Sequence, residues 1–144
     1  YKILKGTGSG KEVTPGAVVQ VNLRIVTPVE RTNVAIVDPL PAGLEPINQA
    51  FKTTAHFAME GDASDMRWSS WVFDHREMDD DGLKLYATYM PPGIHTFSYL
   101  ARATTPGNYA LPAARVEEMY RPENFGRTEQ GRFTVGSSEI SRTP

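Results

Sequence analysis

This sequence predicts an all-β fold, an antiparallel β-sandwich of the immunoglobulin or fibronectin type III kind. Apolar and polar residues alternate in several short runs, as they do in strands that face a core on one side and water on the other. Clusters of Pro, Gly and Asp separate these runs, and no long stretch has a helical period. About seven short strands with such turns are typical of two sheets stacked about 10 Å apart.

The strands can be located from the alternation. The clearest lies at 18–26, where an apolar residue occupies almost every second position. The run Asp79-Asp80-Asp81-Gly82 predicts the tight turn of a hairpin, because Asp-Gly favours the backbone angles that such turns need. Further strands are predicted at 1–4, 33–37, 68–78, 83–89, 95–104 and 132–135, and residues 109–111 lead into the loop that follows.

The length of 144 residues suits one domain. We assign the sandwich to residues 1–136 and a polar tail to 137–144. Two internal segments lack a strand pattern, an irregular excursion near 45–67 and a long loop near 111–131. Long loops inside compact domains are more often functional than merely connecting, so the second segment is the first candidate for a site.

Composition excludes several classes of function. The net charge is -2 and no run of Lys or Arg is present, which argues against binding to nucleic acid. No apolar segment approaches the roughly 20 residues of a membrane-spanning helix, so this domain is not expected to insert into a membrane. No signal peptide is recognisable, and any targeting signal is expected elsewhere in a longer parent chain. There is no cysteine to provide a disulfide or a thiol nucleophile.

No metal or cofactor is predicted. The aspartates Asp79 to Asp81 could attract calcium, but their spacing differs from that of a calcium loop and a solvated turn is favoured. His56, His75 and His95 lie far apart in the sequence, which does not suit zinc. The glycine-rich segment at 6–12 lacks the spacing of a phosphate-binding loop and is interpreted as a turn.

An enzyme is not expected either. The sequence has no Gly-x-Ser-x-Gly elbow, and the adjacent Glu117 and Glu118 would point apart on an extended backbone. They could instead lie in water or pair with Arg115 and Arg121. An alternative function is sugar binding or adhesion in the periplasm or outside the cell, with Trp68 and Trp71 as an aromatic platform, although core packing is favoured for Trp71.

Met119 and Tyr120 lie in the middle of the predicted loop. A soft thioether beside an amphipathic ring suits the covering of a neighbouring surface. The alternative is that both side chains pack on their own sandwich. The residues that would support the pair are Glu117, Glu118, Arg121, Pro122, Phe125, Gly126 and Arg127.

Three blocks resemble a known family. They are VDPLPAGLEPIN at 37–48, YLARATTPG at 99–107 and the segment at 112–127 that ends in EEMYRPENFGR. In this order they resemble the C-terminal macroglobulin-like domain, of the MG10 type, of bacterial α2-macroglobulins. The resemblance implies a macroglobulin-like β-sandwich within a large periplasmic lipoprotein, anchored to the bacterial inner membrane, that serves bacterial defence as a broad-spectrum protease inhibitor.

The resemblance also implies a role for the candidate loop. In that family an attacking protease cleaves a bait region, the molecule rearranges, and an exposed thioester reacts with a lysine of the protease. The terminal domain covers and locks the thioester domain until that cleavage. By position, Met119 and Tyr120 match the Met-Tyr pair of the shielding loop. The implied partners are the thioester domain of the same parent chain and the target proteases that the parent traps.

Overall fold

The structure, a computed structural model, describes residues 1–6, 8–9, 11–47 and 72–136. These residues form thirteen strands. In chain order they are β1 (Lys2–Lys5), β2 (Gly8–Ser9), β3 (Glu12–Val13), β4 (Val18–Thr27), β5 (Arg31–Pro39), β6 (Leu44–Ile47), β7 (His75–Asp79), β8 (Gly82–Met90), β9 (Gly93–Ala103), β10 (Gly107–Leu111), β11 (Arg115–Glu118), β12 (Arg121–Arg127) and β13 (Gly131–Val135). In the part of the chain that is described, no helix has the length and apolar character needed to cross a bilayer.

The strands are arranged in three sheets. The first sheet has the order β1-β4-β9-β6, and the second has the order β12-β11-β5-β8-β7. The third sheet has the order β10-β13-β3-β2, and its β13–β3 pair is parallel. The other pairs are antiparallel. The predicted antiparallel sandwich is therefore confirmed, but with more strands than the alternation indicated.

The long β4–β9 pair follows the predicted alternation, with Leu23 and Ile25 packed against the core on the inward side of β4. It runs in continuous register from the Val18–Arg102 pair to the Thr27–Gly93 pair. Val19 is fully buried, as an inward position of β4 should be. At the other end, the cross-strand neighbours Val26 and Ile94 are 61% and 56% exposed. The outward face of the sheet therefore presents an apolar pair to the outside.

One continuous core joins the three sheets. Its largest fully buried side chains come from all of them: Tyr99 and Val19 of the first sheet, Leu83, Leu85 and Met90 of the second, and Phe133, Val135 and Val13 of the third. The Phe133 ring lies 5.2 Å from the ring of Tyr1, measured between centroids. The third sheet thus closes one end of the sandwich rather than forming a separate layer.

A buried polar pair links the two large sheets. The Tyr99 hydroxyl donates a hydrogen bond of 2.6 Å to Oδ2 of Asp38, and both residues are buried. Burial raises the pKa of Asp38, while the hydrogen bond from Tyr99 opposes that rise. Burial and the charge of Asp38 raise the pKa of Tyr99, so its hydroxyl keeps its proton and acts as donor. This bond ties β5 to β9 through the core.

The predicted hairpin turn at Asp79 to Gly82 is confirmed. Asp79 pairs with Gly82, and Asp80 and Asp81 form the turn between β7 and β8. Gly82 has a φ of 150°, and a Cβ there would collide with the backbone carbonyl oxygen of Asp38. Glycine is therefore required by close contact with β5, in addition to the turn.

The excursion predicted near 45–67 is wrong at its beginning. Residues Leu44–Ile47 form β6, which pairs with β9, and Leu44 is buried. The irregular sequence hid this strand because Pro46 breaks the pattern, yet β6 is an edge strand and can accommodate a proline. The rest of the excursion, with His56, lies outside the described residues. So do Trp68, Trp71 and the tail at 137–144.

Candidate functional site

The loop predicted near 111–131 is in fact largely a β-hairpin. Strands β11 and β12 pair with each other, and β11 pairs on its other side with β5. We call Arg115–Arg127 the edge hairpin, because β12 is the outermost strand of the second sheet. Pro122 lies where the β11–β12 register shifts between Glu117 and Glu118. A proline is tolerated there because neither an edge strand nor a bulge needs its missing N–H.

Met119 and Tyr120 form the turn of this hairpin, and we call them the tip. Glu118 pairs with Arg121, so only these two residues connect the strands. Tyr120 is 81% exposed and Met119 is 44% exposed. The alternative that Tyr120 packs on its own sandwich is therefore wrong. The tip presents an aromatic ring and a thioether to whatever lies outside the domain.

A backbone bond connects the tip to β5. The Met119 N–H donates to the carbonyl oxygen of Asn33 over 2.8 Å. Asn33 has a φ of 51°, in the left-handed region where asparagine is the most tolerated residue after glycine. This local change of direction in β5 accompanies the Met119 bond, so the tip is held from the neighbouring strand as well as by its own turn.

Glu118 makes a second connection beside the tip. It is only 8% exposed. Its Oε1 accepts a bond of 3.1 Å from the Thr32 N–H, and its Oε2 accepts one of 2.6 Å from Nδ2 of Asn124. A guanidinium nitrogen of Arg31 lies 3.6 Å from Oε2. The hydrogen bonds from Asn124 and Thr32 hold the pKa of Glu118 below its usual value.

Sequence reasoning missed this role of Glu118. The sequence places Arg115 and Arg121 near Glu118, whereas the contacts come from Thr32 and Arg31 on a distant strand and from Asn124. No local signal could identify them, since the pairing of β11 with β5 determines which residues meet.

The remaining predicted supporting residues lie together on the edge hairpin. Glu117 pairs with Arg115 over 3.0 Å, as the sequence allowed, and the Arg115 guanidinium lies 5.0 Å from the centroid of the Phe125 ring. Gly126 is opposite Val116, and a Cβ there would crowd that side chain. The side chains of Arg121, Pro122, Phe125 and Arg127 are exposed. These residues shape the hairpin and its surface.

A groove of about 290 Å³ lies between the edge hairpin and the end of β4. Ile25, Val26, Met90, Val116 and Phe125 provide its apolar walls. Glu117, Glu118 and Glu123 are its acidic groups, and Arg31 also lines it. This groove could not be predicted from the sequence, because its walls come from strands that are remote in the chain.

The surface of the site combines apolar and charged side chains. Within the described ranges, no three or more His, Asp or Glu side chains are grouped as metal ligands. Asp79 instead lies 3.5 Å from the Lys84 ammonium group. What the site presents to the outside is the exposed tip of the edge hairpin.

Comparison with known proteins identifies a family to which this chain belongs. Residues 1–123 match the family described as the bacterial alpha-2-macroglobulin MG10 domain. The chain is 36% identical over 120 residues to an alpha-2-macroglobulin homolog from Nostoc sp., an alignment that covers 83% of this chain and 6% of that protein.

Two solved structures are also similar. Trypsin-activated alpha-2-macroglobulin from Escherichia coli matches with a TM-score of 0.78 and 28% identity, over 91% of this chain and 9% of that one. Salmonella alpha-2-macroglobulin reacted with methylamine matches with a TM-score of 0.73 and 29% identity, over 94% of this chain and 9% of that one. The chain therefore spans less than a tenth of each of these proteins.

Proposed function

Because this chain belongs to the bacterial alpha-2-macroglobulin MG10 domain family, we propose that it is the locking domain of a protease-trapping inhibitor. In this proposal the tip, Met119 and Tyr120, covers the thioester domain of the same parent chain until a protease cleaves the bait region. The domain itself catalyses nothing, and the proteases are partners of the parent. The parent works in the periplasm, anchored to the inner membrane.

The single observation that carries the proposal is the exposure of the tip. Tyr120 is 81% exposed although an aromatic ring gains free energy from burial, and the backbone beneath it is fixed by the Met119–Asn33 bond. A ring held outward on a fixed backbone is suited to a partner surface. A thioester survives only where water and amines are excluded, and a Met beside a Tyr can provide a dry cover that later departs.

The similar proteins give further support. The Salmonella protein was reacted with methylamine, and the E. coli protein was activated by trypsin. Sensitivity to a small amine and to a protease is what an inhibitor with a guarded thioester should have. The sugar-binding alternative is not favoured by these comparisons.

Removing either tip side chain should expose the thioester of the parent. On adding methylamine to the full-length parent, we expect Met119→Ala and Tyr120→Ala to release free thiol roughly 10-fold faster than wild type, which corresponds to a barrier lower by about 1.4 kcal/mol. The matched control is Tyr89→Ala, because Tyr89 is also an exposed tyrosine but belongs to β8, opposite Thr32 of β5, and is not part of the hairpin. Thiol release at one rate in all four proteins would rule out shielding by the tip.

The same Tyr120→Ala change should leave the domain itself intact. An exposed side chain contributes little to its own core, so we expect the free energy of unfolding to change by no more than about 0.5 kcal/mol. Urea denaturation of the domain measures this directly. A loss of several kcal/mol would mean that Tyr120 serves the fold instead of a partner.

A further inference from the structure

We propose that Glu118 is a positioning residue, whose carboxylate fastens the Met119–Tyr120 tip to β5 and so holds the tip in the one place where its partner can receive it. The consequence for the parent rests on the proposed shielding function. The positioning itself is a property of this chain and can be tested without it.

The tip needs such a fastening. It lies at the end of a hairpin whose outer strand has no further neighbour among the described strands, and the hairpin ladder is interrupted next to it. Hairpin ends of this kind open locally at low cost in free energy. The pairs on either side of the interruption are Glu117 with Phe125 and Glu118 with Arg121, so Pro122, Glu123 and Asn124 are left without ladder partners.

The Glu118 carboxylate spans that interruption. On one side it accepts from the Thr32 N–H of β5, and on the other from the Asn124 amide within the unpaired stretch of β12. Thr32 directly precedes Asn33, whose carbonyl receives the Met119 N–H. The Glu118 side chain therefore joins β11, β5 and β12 at the base of the tip. One of its partners, Thr32, is next to Asn33, the residue that bonds Met119.

A buried carboxylate at position 118 is not needed merely to fill the space beneath the tip. A buried carboxylate is costly unless it is hydrogen-bonded or paired, and an apolar side chain could fill the same space. Here both oxygens have donors and Arg31 lies nearby, so the group is satisfied in one arrangement only. Directional bonds specify a position, whereas apolar packing does not.

The test is amide hydrogen exchange in the full-length parent, followed in peptides that contain residues 117–121. With Glu118→Ala we expect exchange there to rise roughly 10-fold or more, while exchange in β4 and β9 stays unchanged. Glu118→Gln should remain within about 3-fold of wild type, because its oxygen still accepts from Thr32 and its amide can pair with a reversed Asn124 amide. Near wild-type exchange in Glu118→Gln would show that the hydrogen bonds of residue 118 hold the tip, and that the charge of Glu118 is not needed.

Two more variants keep the test decisive. Asn124→Ala removes the second partner from a half-buried position and should raise the same exchange even if Glu118→Ala fails to fold. Glu123→Ala removes an exposed carboxylate from the same strand and should change nothing. Wild-type exchange in both Glu118→Ala and Asn124→Ala, or an equal rise in β4 and β9, would overturn the proposal.

Thiol release from the same proteins separates this inference from the proposed function. If exchange at the tip rises but no variant, Tyr120→Ala included, releases thiol faster, then positioning stands and shielding fails. If Tyr120→Ala releases thiol faster but Glu118→Ala leaves exchange unchanged, then shielding stands and positioning fails. If both proposals are right, Glu118→Ala should raise both the amide exchange at the tip and the rate of thiol release.

Discussion

Phe133→Ala is expected to lower the free energy of unfolding by about 3–5 kcal/mol, the cost of removing a fully buried phenylalanine. Phe133 has no exposed surface and packs against the ring of Tyr1 in the region where the third sheet joins the core. Alanine would leave a cavity that β10, β13 and β3 could fill only by moving together. Urea denaturation should show a lower midpoint with an unchanged slope.

Phe125 provides the matched control, since it is the same residue type but is 57% exposed on β12. Phe125→Ala should lower the free energy of unfolding by about 0.5 kcal/mol or less. Equal losses in the two variants would show that the third sheet does not depend on Phe133.

Tyr99→Phe should lower the free energy of unfolding by about 1–3 kcal/mol at neutral pH, because it leaves the Asp38 carboxylate buried without its donor. The loss should shrink in acid. Burial raises the folded-state pKa of Asp38 above its ordinary value of 3.8, so the folded protein holds this proton more tightly than the unfolded chain. The stability that the protonated Asp38 contributes is therefore present below pH 3.8 and is lost as the pH rises through the raised pKa of Asp38.

Removing the Tyr99 hydroxyl also removes the hydrogen bond that opposes the rise in the pKa of Asp38. Stability of the Tyr99→Phe variant should therefore fall more steeply with rising pH above 3.8 than that of wild type. Denaturant midpoints of both proteins between pH 3.8 and pH 7 measure the difference, and Tyr120→Phe is the control on an exposed ring. A penalty that does not vary with pH would mean that Asp38 stays protonated, or stays charged, throughout.

Strands with strong local patterns could be predicted from the sequence. Residues 18–26 and 83–89 alternate because one face of each strand packs on the core, and the structure has β4 and β8 there. The turn at Asp79 to Gly82 was recognisable because its residues carry their own backbone preference. The end of β8 differs, since Tyr89 continues the alternation but is 47% exposed.

Elements that depend on distant partners could not be predicted. The edge hairpin has glutamates, a proline and a glycine where a strand pattern would have apolar residues, and β11 forms a strand because β5 and β12 pair with it on both sides. The burial of Glu118 follows from the same pairing. Met119 and Tyr120 were recognisable from their side-chain chemistry in the middle of the segment and from the resemblance, but only the structure places them in a two-residue turn.

The parallel pairing of β3 with β13 has a consequence for the order of folding. It joins Glu12 and Val13 to Thr134 and Val135, from opposite ends of the described chain. Contacts between residues so remote in sequence form slowly, because a very long loop must close first. During synthesis, β3 is made early but has no partner in β13 until the last described strand emerges. The nascent domain should therefore keep one end of its core open, without Phe133, until nearly the whole described chain has been made.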